Sequence, residues 1–132
     1  LSSCIHAILA AKLNKMDKAY ELYLRTSRLD LDDYNQEANE GLHITSMAGT
    51  WLSVIEGFAG IRIKKQQLYI NPKLPNEWKE LKFNLVVNNN LFQIEINHNN
   101  FTVFNLSEEK ITFSHKDKWY DVLAHKVTHI TF

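Results

Sequence analysis

The spacing of apolar residues changes once along this chain, near Ile61, and no single regular architecture accommodates both sides of the change. Upstream, Ile5, Ile8, Leu9 and Leu13 recur at near-helical spacing, and Asn14 is a residue type that ends helices in the left-handed conformation. Met16, Ala19, Tyr20 and Tyr23 repeat the i, i+3, i+4, i+7 stripe. Asp17 lies near its start and Arg25 and Arg28 near its end, the charge order that a helix dipole favours. The connection after Asn14 is so short that these two helices are expected to pack as an antiparallel hairpin. RLDLDDYNQEANEG, residues 28–41, is acidic, polar and closed by Gly41, and reads as a loop. Met47, Trp51, Val54, Ile55 and Phe58 form a third helical stripe, stopped by Gly57 and Gly60.

Downstream the period is two. LKFNLVV, LFQIEIN and FTVFNL read as three strands, separated by Asn88-Asn89-Asn90 and His98-Asn99-Asn100, and asparagine tolerates the left-handed conformations of tight hairpin turns. Shorter strands are expected at 110–113, 118–122 and 126–132. Another at 67–71 leads into a corner marked by Pro72 and Pro75. Strands this short and this regularly spaced predict an antiparallel sandwich. The fold class is therefore α+β. Three helices do not complete a bundle and a sandwich needs none of them, so the expected organisation is the tail of a helical domain at 1–60 followed by a β domain at 61–132, with the boundary near 57–61. The start at Leu1 rather than Met fits a piece of something longer.

Composition narrows the function classes. With 132 residues, 45% of them apolar, a real core is affordable. Fifteen basic residues balance fifteen acidic ones, so no global field argues for nucleic acid or an anionic membrane. No apolar run approaches the roughly 20 residues of a membrane span. Cys4 is the single cysteine, which excludes an internal disulfide and fits a reducing, cytoplasmic setting.

The stretch GLHITSMAGTW, residues 41–51, opens a helix on polar residues. A helix starting near His43 presents backbone N–H groups without intrahelical acceptors at the positive end of its dipole, which is an anion site in outline. Ser46 follows three residues later on the same side, and Ala48 and Gly49 allow a close approach. The plainer alternative has Thr45 or Ser46 capping the helix and His43 as a half-buried ring; spacing alone favours it, because caps are common. Asp30, Asp32 and Asp33 offer oxygen ligands for a cation but lack the glycine and terminal glutamate of an EF-hand loop, so a charge-paired loop is the expectation. Asp30, between Leu29 and Leu31, is the one expected to turn inward. His98, His115, His125 and His129 have no spacing that gathers three or four metal ligands, so no metal is expected. Glu37, Glu40 and Glu56 are available for glycoside chemistry, but none is singled out as an acid. Of three tryptophans, Trp51 is expected in the core, Trp78 at the proline corner, and Trp119 is open to sugar stacking.

The run DYNQEANEGLHITSMAGTWLSVIEGFAGIRIKKQQLYINPKLPNEWKELKF resembles the C-terminal part of glycoside hydrolase family 65, the family of maltose, trehalose, kojibiose and nigerose phosphorylases. The marks are GLHITSMAGTW, EGFAGIR and NPKLP followed by Trp78; LSSCIHAILAAKL and DKAYELYLRTSRLDLDD resemble the preceding helices. The resemblance covers about the first ninety residues. Beyond Asn90 it is only to a strand-rich tail.

The resemblance implies the last helices of an (α/α)6 barrel followed by a small antiparallel C-terminal β-sandwich domain. It implies an inverting phosphorylase, in which a glutamic acid protonates the glycosidic oxygen while inorganic phosphate attacks from the opposite face, giving β-glucose 1-phosphate. That acid and a phosphate-holding lysine belong upstream, so no catalytic residue is assigned within this chain. His43 and Ser46, with Gly49 shaping the helix start, are the implied phosphate-binding residues, and Ser2 or Ser3 can contribute. The partners implied are a disaccharide, phosphate as co-substrate and a second subunit of a homodimer, with no cofactor, nucleic acid or membrane. The chain alone would be inactive and would expose Ile5, Leu9 and Tyr23. One alternative is a hydrolase of the same family. Others of a different class are a carbohydrate-binding sandwich using Trp119 or Trp78, and a structural brace.

Overall fold

A computed structural model describes residues 2–33, 36, 39 and 41–132. They form two compact units, Leu1–Phe58 and Ala59–Phe132. Among the described residues no helix is long and apolar enough to cross a membrane.

The first unit is helical. Helix α1 (Ser2–Lys12) ends as its sequence implies: Asn14 sits at φ 59°, with Asn14 N–H donating to Ala11 O at 3.1 Å and Lys15 N–H to Ala10 O at 2.9 Å. This pair of bonds around a left-handed residue is the Schellman arrangement. It turns the chain directly into α2 (Met16–Ser27), which packs on α1. Asp17 and Arg25 occupy the first and last turns of α2.

The buried faces differ from the expected stripes. Helix α1 buries Cys4, Ala7, Ile8, Ala10 and Ala11, while Ile5, Leu9 and Leu13 are exposed. Tyr23 is only half-buried, edge-on to Phe58 with ring centroids 5.5 Å apart. Residues 28–41 are not loop throughout. Arg28 caps α2, and a single turn, α3 (Leu29–Asp32), follows, held by Arg28 to both carboxylate oxygens of Asp32 at 2.7 Å. Asp33, at φ 46°, closes it. Glu37 and Glu40 lie outside the described residues.

Helix α4 (Ile44–Leu52) continues into a π-helical turn (Ser53–Phe58) that contains Gly57, so Gly57 does not stop the helix. Gly49 lies against Cys4, and Gly57 against Ile8 and Ala11, so α4 and α1 run in the same direction. The face that makes this contact is small: Ser46, Gly49, Ser53 and Gly57 are buried. Within this chain Trp51, expected in the core, is 55% exposed, and Met47 is exposed beside it. Of the expected stripe, Ile55 and Phe58 are buried, while the contact with α1 is made by the small face.

The second unit is a sandwich of eight strands: β1 (Ile61–Lys64), β2 (Gln67–Ile70), β3 (Glu80–Val87), β4 (Asn90–Asn97), β5 (Asn100–Asn105), β6 (Ile111–His115), β7 (Lys118–Val122) and β8 (Val127–Thr131). One sheet has the order β1-β2-β6-β7 and the other β3-β4-β5-β8. All pairings are antiparallel except β2 with β6, which is parallel. Asn88 and Asn89, at φ 50° and 64°, make the expected tight turn between β3 and β4. Inward residues include Ile94, Ile96, Phe101, Val103 and Phe113, and Phe101 meets Phe113 across the sheets at 6.1 Å. Two buried polar side chains are satisfied internally. Asn105 donates to Glu109 O and Val122 O and accepts from Ser107 N–H, and His115 Nδ1 bonds Ile70 O at 2.9 Å. Pro72, Leu74 and Pro75 are buried in the corner, where Trp78 N–H donates to Pro75 O. Gly60, at φ 63°, lies so close to Asn71 that a Cβ would fall 1.9 Å from its carbonyl oxygen.

A candidate anion site at the start of helix α4

His43 is the N-cap of α4, but its side chain does not cap the helix. Asp30 of α3 does so from a distance. Asp30 Oδ2 accepts the His43 backbone N–H at 3.0 Å, and Oδ1 stands 2.5 Å from His43 Nδ1. An ionised carboxylate only accepts, so Nδ1 carries the proton; Nε2 is then an acceptor in the neutral ring and a second donor in the imidazolium. The hydrogen bond from the His43 ring, and then that from its backbone N–H, hold Asp30 below the usual carboxylate range against the opposing effect of desolvation. Asp30 thus turns inward as expected, but onto His43 rather than a cation. Of the leucines that flank it, Leu29 is half-buried and Leu31 is exposed.

The other first-turn donors are partly used. Ile44 N–H reaches Leu42 O at 3.1 Å and Ser46 N–H reaches His43 O at 2.8 Å; Thr45 N–H has no acceptor among the described residues. The hydroxyls further along differ from that of Ser46. Thr50 Oγ1 donates to Ser46 O and Ser53 Oγ to Gly49 O, each at 2.9 Å. Ser46 is only 4% exposed, and among the described residues its hydroxyl makes no hydrogen bond. The start of α4 therefore combines a carboxylate-held imidazole, an unused hydroxyl and an unused N–H.

Gly49 sits one turn further on. A Cβ there would lie 2.7 Å from Cys4 Sγ, so its smallness is taken up by the approach of α1. Because α1 and α4 run parallel, Ser2 and Ser3 lie at the same end of the unit as His43. The remaining sequence candidates do not converge. Asp32 pairs with Arg28, His98 Nε2 contacts Trp78 O, His125 pairs with Glu108, and His129 meets Thr102. Among the described residues no three His, Cys, Asp or Glu side chains are placed to hold one metal ion. Trp119 is exposed on β7, edge-on to Tyr69. Local pattern missed the Asp30–His43 pair, because thirteen residues separate its members.

Residues 1–52 match the glycosyl hydrolase family 65 central catalytic domain, and residues 61–122 match the family 65 C-terminal domain. Maltose phosphorylase of Bacillus subtilis is 52% identical over 96 residues, which is 73% of this chain and 13% of that protein. Alpha,alpha-trehalose phosphorylase of Geobacillus stearothermophilus is 35% identical over 132 residues, all of this chain and 17% of that protein. A solved structure from human microbiome, provisionally named a kojibiose phosphorylase, superposes with a TM-score of 0.88 at 28% identity, covering 98% of this chain and 19% of that one. The chain thus spans a small part of the length of its relatives. With matches to two successive domains of one family in their order, the chain belongs to glycosyl hydrolase family 65.

Proposed function

We propose that this chain serves as the closing helices of an (α/α)6 catalytic barrel and the C-terminal domain of an inverting disaccharide phosphorylase. The reaction joins an α-glucosyl disaccharide and phosphate to give β-glucose 1-phosphate and the released sugar. The carrying observation is the Asp30–His43 pair beside the unused Ser46 hydroxyl at the start of α4. The names of the relatives, maltose and trehalose phosphorylases, support the reaction class.

In this reading phosphate oxygens accept from Ser46 Oγ–H, Thr45 N–H and the imidazolium of His43, and Asp30 fixes the ring. Gly49 lets α1 close against α4, which sets where Ser46 stands. Fixing the nucleophile opposite the leaving oxygen is a proximity effect worth several kcal/mol of barrier, of the roughly 7–11 kcal/mol such effects can reach. The general acid comes from another segment of the protein, and the chain alone is inactive. The protein works in the cytoplasm, as a homodimer, with phosphate as co-substrate and no cofactor.

The test is phosphorolysis by the full-length enzyme carrying His43→Ala, Ser46→Ala or Asp30→Asn. Losing a hydrogen bond to a charged ligand predicts a fall of about 10–100-fold in kcat/KM for phosphate, with circular dichroism unchanged. Unaltered phosphate kinetics in the His43 and Ser46 variants would overturn the site. Release of free glucose at a rate independent of phosphate would replace the phosphorylase with a hydrolase.

A further inference from the structure

The β unit carries a concave surface of its own. A cleft of about 350 Å3 opens where the β1–β2 and β3–β4 turns meet the start of β6. Asn88 Nδ2 ties the two turns together by donating to Gln66 O at 3.0 Å. The volume lies within the roughly 300–1,000 Å3 of small-ligand sites. Leu68, Val87, Phe92 and Ile111, all buried, form its apolar floor.

The rim selects the class of ligand. Its one charged lining residue, Lys110, is already paired with Asp121 at 3.0 Å. An ionic ligand therefore meets no uncompensated charge. The remaining polar groups present mixed valences. Thr112 gives its hydroxyl proton to Asp121 at 2.8 Å, leaving its oxygen to accept. Gln67 Oε1 accepts from Tyr69 OH at 3.2 Å, leaving its amide N–H groups to donate. The amides of Asn88 and Asn90 each use an N–H within the turns, leaving their carbonyl oxygens to accept. Interleaved donors and acceptors match hydroxyl groups, which are both. The last rim element is Trp119, 45% exposed and braced edge-on by Tyr69 at 5.5 Å between centroids. A fixed indole face beside neutral polar groups suits a ring whose faces are C–H and whose edges are hydroxyl.

We propose that this cleft binds a neutral saccharide of about disaccharide size, with one ring stacked on Trp119 and its hydroxyls met by Gln67, Asn88, Asn90 and Thr112. This site is independent of the phosphate reading, because it shares no residue with it.

The experiment titrates the full chain with maltose, followed by calorimetry and by saturation-transfer NMR on the sugar. Saturable binding is expected, weakened at least about tenfold by Trp119→Ala and again by Gln67→Ala, with Trp119→Phe retaining part of it. Circular dichroism of each variant shows that the sandwich is intact; both positions are exposed, so folding should not change. No saturable binding up to about 50 mM maltose would overturn the proposal, since even millimolar affinity would show there. So would equal affinity in both alanine variants. Equal or tighter binding of a sulfated disaccharide would overturn the assignment to neutral sugars.

Discussion

The closest contacts within the two units are made by side chains of different size. The sandwich puts its largest side chains inside: Phe101 and Phe113 are fully buried and meet across the sheets. The helical unit buries cysteine, alanine, serine and glycine between α1 and α4 and leaves Ile5, Leu9, Met47 and Trp51 outside. The helical unit buries Ile8, Ile55 and Phe58 as well, but the contact between α1 and α4 itself is made by small residues, where an added methyl group has no room.

Three substitutions test that contrast. Phe101→Ala should cost about 3–5 kcal/mol, the usual range for emptying a buried aromatic position, read from chemical denaturation of the strand signal. Gly49→Ala should cost about 1–3 kcal/mol, read from the helix signal, because the new methyl group meets Cys4 Sγ at 2.7 Å in a contact with little room to relax. Trp51→Ala, although it removes the larger aromatic, should change the stability of this chain by less than about 0.5 kcal/mol. A Trp51 variant as damaging as the Phe101 variant would break the comparison. A harmless Gly49→Ala would show that the helices are not held at close approach.

What the sequence made legible follows from which features are local. Asn14 and the Asn88-Asn89 turn were readable because asparagine advertises left-handed backbone. The Lys65-Gln66 turn uses the same positive φ angles with residues that do not, so β1 gained no turn signal and was not separated as a strand. Helix existence was readable from the stripes, but hydrophobicity favours large residues. It placed Trp51 and Met47 inside, where the structure puts Ser46, Gly49 and Ser53. The parallel β2–β6 pairing joins segments more than forty residues apart, beyond any local signal. At the candidate site, the polar helix start drew attention to His43 and Ser46, and the family resemblance favoured a phosphate site over a plain cap. Asp30 was noticed as inward-facing, but its partner across the acidic segment was not.

The contact between Cys4 and Gly49 carries one more consequence. Cys4 is the only thiol in the chain, and its side chain is fully covered where α1 meets α4. A thiol reagent can reach it only when the helical unit opens, so the rate of alkylation is a clock for that opening. The sandwich contains no cysteine and stays silent in such an experiment. The chain therefore carries a built-in label that times the opening of one unit without a probe being introduced.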